Sequence, residues 1–481
     1  MEIYTAHRCS SEWGRVQTNK RVEKPFRGRC IRGLQRGMNM RWFMGFLVLG
    51  CLSGVAHAED WPQWRGPDGR RISSERDLPT VWGRDTGVAW RTPLRGLGVS
   101  SPIVSGELVF LTSQVGLGPL RPGGHPSLVR GGSRSSADEQ PLGGRRAEGS
   151  GEGVIFLVSA FNRINGQTVW EYEFPAEGDL PQAHQKHNMA SPSPVTDGEL
   201  VYAWFATGQL VALNMDGRLV WQRHLARDYG PYEIVWGHSS SPVLYEGLII
   251  LQSDHESGAY LLALDARTGE ARWRADRGPA LRSFSTPVVV AAPNGNELVV
   301  NANAGLDGYD PSTGEWLWHA EGHNEYPVAS ATYDEGGTVY TARGHRAGPY
   351  LAVKLGGRGV VDESHVAWRV ATGAPYVSSI LYYDGLIYMA NGGGIVTAVD
   401  AATGDRVWQD RVGGIYSASP LAGDGKVYLF SETGETVVLE AGRSLNVLQR
   451  NDLGERVVSS PAASDGRIFI RTDESLIAVG P

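Results

Sequence analysis

Cysteine is nearly missing from this 481-residue chain: there are three, Cys9, Cys30 and Cys51, and none follows residue 58. Disulfides, cysteine-ligated zinc and covalently attached haem are therefore excluded from the remaining chain, whose stability must come from packing. Lysine is also scarce, at five of the 45 basic residues. The first 58 residues hold ten Lys/Arg against three acidic residues, and the rest holds 35 against 49. An acidic body argues against nucleic acid as a partner, because phosphate neutralisation needs clustered cations. Helix-type apolar periodicity is hard to find. The one long apolar run, Trp42–Gly50, is shorter than the ~20 residues of a permanent membrane span. Neither a Gly-rich phosphate loop nor a Gly-x-Ser-x-Gly elbow occurs, which lowers the expectation of an enzyme.

What the chain has instead is glycine (63 residues), tryptophan (15) and an internal repeat. Ala398-Val-Asp400-Ala-Ala-Thr403-Gly404-Asp-Arg-Val-Trp408 reads as strand, tight turn, strand, with a large aromatic at the end. Close copies run Ala263–Trp273 and Gly308–Trp318, and looser ones Ala160–Trp170 and Ala212–Trp221. Asp and Thr side chains can accept hydrogen bonds from turn amides, and Gly takes the left-handed position. The closing indole then lies on an outer strand, within reach of a neighbouring repeat. Trp90, Trp170, Trp221, Trp273, Trp318, Trp368 and Trp408 are read as such structural docking residues.

A second marker is a pair of small residues, often followed by Pro. It occurs at Ser100-Ser-Pro102, Ser193-Pro194, Ser240-Ser-Pro242, Ser285-Thr-Pro287, Ser330-Ala-Thr332, Ser378-Ser-Ile380, Ala418-Ser-Pro420 and Ser459-Ser-Pro461. Polar turns such as Asp197-Gly198, Asp384-Gly385, Asp424-Gly425 and Asp465-Gly466 follow, and Asp-Gly tolerates the positive φ of a two-residue hairpin. Each unit is thus four antiparallel strands, and a marker spacing of about 40–48 residues fits one propeller blade per unit. The expected fold is an all-β, eight-bladed propeller spanning residues 59–481. Blade 8 lacks a Trp strand, and the orphan strand Val88–Arg91 is expected to supply it and close the ring. Residues 114–153, rich in Gly, Arg and Ser, read as a surface insertion in blade 1.

Residues 1–37 read as a non-native upstream extension and 38–58 as a signal peptide. Arg41 is its positive region, Trp42–Gly50 its apolar core and Ala56-His-Ala58 its cleavage site. Val48-Leu-Gly-Cys51 offers a competing lipoprotein box in which Cys51 is acylated. Either route takes the protein out of the cytoplasm, with a lipid anchor in the second.

In a propeller the loop entering each innermost strand forms one mouth of the channel. The residues just before each marker therefore share one place in every blade. His238, Arg282, Tyr376, Tyr416, Arg456, Asn188 and Trp236 occupy it and form a candidate site for an anionic or sugar-like ligand. Local His pairs, His184/His187 and His255 beside Asp254 and Glu256, read as solvated loops rather than metal sites.

The repeat Ala-x-Asp-x-x-Thr-Gly-x-x-x-Trp resembles the tryptophan-docking motif of the PQQ-like propellers. That superfamily includes quinoprotein alcohol dehydrogenases and BamB-type envelope lipoproteins. The resemblance covers Glu59 to Pro481. Its enzyme members carry two adjacent cysteines against the cofactor and a Ca²⁺ ion with a catalytic Asp, and the cysteine-free body departs from that pattern. The expectation is an exported, monomeric, non-catalytic scaffold in the cell envelope that binds a protein, peptide or glycan, without cofactor. The alternative is a divergent oxidoreductase using PQQ and Ca²⁺ at the channel mouth.

Overall fold

The computed structural model describes residues 59–116, 153–178, 180, 186–234, 237–256, 258–278, 281–343 and 347–481. The upstream extension, the signal peptide, Cys51 and nearly all of the expected insertion lie outside the described residues.

Among the described residues eight sheets, each of four or five strands, follow one another. They are the blades of the expected propeller. Blade 1 consists of Ile103–Ser105, Leu108–Val115, Ile155–Asn162 and Thr168–Pro175, all antiparallel. Val115 pairs with Ile155, so the flanks of the insertion meet at the end of one hairpin. Blade 8 is closed by Val88–Pro93, paired antiparallel with Ser475–Val479 in the register Trp90 to Ala478. Strands from the two ends of the propeller therefore share one sheet, which removes the exposed edges of an open array.

The turns follow their chemistry. At Asp384-Gly385, Asp424-Gly425 and Asp465-Gly466 both central residues have positive φ, as a type I′ hairpin requires. In the Thr-Gly turn, the Asp265 carboxylate accepts from the amides of Arg267 and Thr268 at 3.0 and 2.9 Å. Gly269 is needed twice over. Its φ is +70°, and a Cβ there would lie 2.7 Å from the Trp221 ring of the preceding blade.

That indole docks by donating from Nε1 to the Ala266 carbonyl at 2.9 Å. Trp90 reaches Arg163 O, Trp170 reaches Met215 O, Trp273 reaches Pro311 O, Trp368 reaches Ala401 O and Trp408 reaches Gly442 O in the same way. Trp318 departs from the pattern and turns into its own blade, donating to the Glu297 carboxylate at 2.7 Å. The reason lies in blade 5, where a longer connection replaces the Thr-Gly turn. It carries a short strand, Gly359–Val361, that pairs in parallel with the outer strand Trp316–Glu321 of blade 4. Backbone pairing there replaces indole docking. Between blades 7 and 8 the N-terminal segment fills the seam, with Trp82 stacked on Tyr428 at 6.3 Å.

At the waist of the channel the second small residue of each marker builds a closed belt. The amide of Ser101 donates to Ser193 Oγ at 2.9 Å, and the same step repeats through Ser241, Thr286, Ser330, Ser379, Ser419 and Ser460. The amide of Ser460 returns to Ser101 Oγ at 3.2 Å. In blade 5 the belt runs through Ser330, so that marker aligns on Ser330-Ala331, one residue before the Thr332 alignment expected from sequence.

One mouth is sealed by the chain itself. Trp61 is fully buried and bridged to Val104 of blade 1, while Pro62 O accepts from Thr196 of blade 2. Arg65 donates to Ala331 O at 2.5 Å and Ile380 O at 3.1 Å, in blades 5 and 6. Arg71 donates to Pro420 O at 2.7 Å and Pro461 O at 2.9 Å, in blades 7 and 8. Ile72–Ser73 then adds a parallel strand to the inner edge of blade 7.

Candidate functional site

The opposite mouth leads into a cavity of about 180 Å³. Its walls include belt residues Ser101, Ser193, Ser241, Thr286, Ser379, Ser419 and Ser460, with apolar Val99, Phe284, Val328 and Val377 above them. Trp64, from the sealing segment, also lines it. Each belt hydroxyl accepts from a neighbouring amide and keeps its own proton to donate.

A charged cluster braces the rim. Lys186, in the loop before blade 2, reaches blade 7 and meets the Glu432 carboxylate at 2.5 Å and Ser417 Oγ at 2.9 Å. Arg456 of blade 8 takes the other Glu432 oxygen at 3.2 Å and Asp473 at 3.3 Å. Burial pushes the Glu432 carboxyl up, but Lys186 and Arg456 overcome it and hold its pKa below the usual range. For Asp473 burial wins over Arg456, and its pKa is raised to about 6.

Six of the seven residues expected to share this mouth are described, and these six do not converge. Tyr376 lines the cavity and is 41% exposed. Arg456 is in the brace, its guanidinium committed to two carboxylates. Arg282 lies across Tyr326, 4.9 Å from the ring centre, and pairs with Glu256 on the rim. His238 is buried under Trp204 at 3.8 Å between ring centres, with Nε2 3.1 Å from Ser240 O. Burial lowers its pKa to about 3, so it is neutral at physiological pH. Tyr416 is packed in the apolar seam of blades 6 and 7. Asn188 turns back, its Oδ1 accepting from Ala190 N at 3.0 Å. Trp236 and His184 lie outside the described residues.

Lys186, Ser417 and Glu432 went unnoticed in the sequence because Lys186 and Glu432 are 246 residues apart. The belt did leave a signal, the recurring Ser/Thr of the markers, which was read as a blade boundary only.

The two carboxylates of the rim brace, Glu432 and Asp473, are not free to hold the Ca²⁺ of the quinoproteins. A hard cation needs several uncommitted oxygen ligands, whereas Glu432 is held by Lys186, Arg456 and Ser417, and Asp473 by Arg456. Among the described residues no group of three or more His, Cys, Asp or Glu is placed to hold a metal.

Fold and site together define an eight-bladed propeller with one sealed and one open mouth. A family model described as "Outer membrane protein assembly factor BamB" matches residues 66–234, 156–347, 336–445 and 392–480, and the chain belongs to this family of PQQ-like propellers. It is 20% identical to the outer membrane protein assembly factor BamB of Yersinia pestis over 326 residues, covering 67% of this chain and 68% of that protein. It is 25% identical to the tetrathionate hydrolase of Acidithiobacillus ferrooxidans over 290 residues, 56% of this chain and 53% of that one. The chain thus aligns with about two thirds of the first relative and about half of the second. Among solved structures it resembles the quinohemoprotein alcohol dehydrogenase of Comamonas testosteroni, with a TM-score of 0.61 and 13% identity over 88% of this chain and 81% of that one. That likeness concerns the fold alone.

Proposed function

We propose that this protein is an exported, non-catalytic propeller that acts as a scaffold in the cell envelope. It presents its open mouth to a protein, peptide or glycan. Membership of the BamB family supports the envelope setting. The observation that carries the reading is the internal pairing of the open mouth: Glu432 is neutralised by Lys186 and Arg456 from two other blades. These groups stiffen a rim, and a rigid rim with an apolar throat suits docking.

The test places a photo-crosslinking residue at Val377, which lines the cavity, in the full chain expressed in its own cells. A discrete adduct with an envelope component is the expected result. Two controls separate the enzymatic alternative. Calorimetry with PQQ and Ca²⁺ should be flat, and dye-linked alcohol or sugar oxidation and tetrathionate hydrolysis should be absent. Turnover in either assay overturns the scaffold.

A further inference from the structure

The break in the docking rule between blades 4 and 5 leaves a second feature on the outside of the ring. A groove of about 540 Å³ runs beside the outer strand of blade 4, lined by Leu281, Asp307, Tyr309, Trp316, His319 and Val360 among others. Trp316 is 45% exposed and Val360 67% exposed. Trp316 is not a docking indole, since it sits two residues before Trp318. The same place in other blades holds Thr168, Leu219, Ala271, Val366 or Arg406.

Three residues from Trp316, His319 lies in the same groove with its orientation fixed from behind. Its Nδ1 is 2.7 Å from Asp307 Oδ1. The other Asp307 oxygen accepts from Arg277 at 3.1 Å, and Arg277 also donates to Asp254 at 2.8 Å and to Tyr309 OH at 2.7 Å. The side chains of Arg277 and Asp254 are fully buried. A carboxylate on Nδ1 selects the tautomer with the proton there, leaving the lone pair on Nε2, which lies over Gly305 at the groove. Nε2 has no protein partner among the described residues. A buried ionic chain that ends in one aimed acceptor, beside an exposed indole, is a costly arrangement for a plain surface.

We propose that this groove binds a saccharide. A pyranose offers an apolar C–H face and a rim of hydroxyls. The indole of Trp316 takes the face, Nε2 of His319 accepts from a ring hydroxyl, and Val360 forms the far wall. The volume is within the range of small-molecule sites and accommodates a short oligosaccharide. An ordinary apolar docking groove would not need a histidine oriented by three charged groups. The site is independent of the open mouth and stands whether or not the scaffold reading holds.

The test uses the full chain with two soluble probes, cellotetraose and tetra-N-acetylchitotetraose, followed by calorimetry and tryptophan fluorescence. At least one probe should bind and shift the emission to the blue. Trp316→Ala and His319→Gln should each weaken binding by about tenfold, the scale of one stacked ring or one directed hydrogen bond. Val360→Arg obstructs the groove from an exposed position without touching the core, so it serves if the Trp316 variant folds poorly. It should abolish binding while leaving the thermal midpoint unchanged. Val377→Ala, in the open mouth, should leave the affinity as it was. Failure of both probes to bind overturns the proposal, as does equal binding by all four variants or a loss seen only in Val377→Ala.

Discussion

The two mouths of the propeller are closed by opposite means. At the sealed mouth two arginines end on neutral backbone carbonyls, with no carboxylate bonded to either among the described residues. Burial lowers the Arg65 pKa to about 10 and takes Arg71 well below its ordinary value, yet Arg65 stays charged throughout the physiological range. At the open mouth, lysine, arginine and two carboxylates neutralise one another, and one of the carboxyls titrates near pH 6. The Arg65 guanidinium, bound to carbonyls, keeps its charge between pH 4 and 8. The Asp473 carboxyl of the rim does not. The two ends thus differ in what holds their cations, carbonyls at Arg65 and Arg71 and carboxylates at Lys186 and Arg456.

The largest expected effect is at the sealed end. Arg71→Ala removes the donors of Pro420 O and Pro461 O and leaves a hole between blades 7 and 8. It should cost about 3–5 kcal/mol in urea unfolding. A loss below about 1 kcal/mol would mean that the seal is ornamental and the comparison of the two mouths has no energetic basis.

The open end should show its sensitivity between pH 4 and 6.5, with two residues pulling in opposite directions. Burial depresses the folded pKa of His238 from the ordinary 6.5 to about 3, with His187 and His255 adding to the shift. The unfolded chain binds the extra proton in that window, so stability is lost as the pH falls. Asp473 has its folded pKa raised from 3.8 to about 6. The folded state binds the extra proton there, so stability is gained as the pH falls. Between pH 6.5 and 4, His238→Gln should therefore flatten the acid loss by about 2–3 kcal/mol, and Asp473→Asn should steepen it by about 1–2. Parallel pH profiles for wild type and both variants would remove the distinction drawn between the mouths.

The smallest effect is expected at the belt between them. Ser379→Ala leaves the Ser330 amide without its acceptor and should cost about 1–2 kcal/mol, equally at pH 5 and pH 8. A pH-dependent loss would tie the belt to the open rim rather than to both ends.

The architecture was legible because it is written locally. Each Asp-x-x-Thr-Gly turn and each Asp-Gly hairpin is complete within a dozen residues, and repetition along the chain made the blade boundaries plain. Ring closure by Val88–Pro93 could be read because blade 8 lacked one strand and one strand lacked a blade. Trp318 shows where this reading stops. Its motif matches the others, but its destination depends on a turn in blade 5 that the motif does not contain. The candidate site was legible only in part, for the same reason. Of the positions before the markers, Tyr376 faces the cavity while His238 turns under Trp204 and Tyr416 packs in a seam between blades. A side chain's direction is set by loops of different length and by partners hundreds of residues away.

The segment that seals the mouth is made early and used late. Arg71 lies 390 residues from Pro461, and its acceptors there exist only once blade 8 has formed. Val88–Pro93 likewise waits for Ser475–Val479, the last strand of the chain. A chain that lacks blade 8 leaves Arg71 without one of its two acceptors, Val88–Pro93 without its partner strand and the belt open. Such a product is an unfinished ring with a sticky seam, readily told from the complete molecule by any protease that samples exposed backbone. The plug is therefore fully seated only on a ring that includes blade 8.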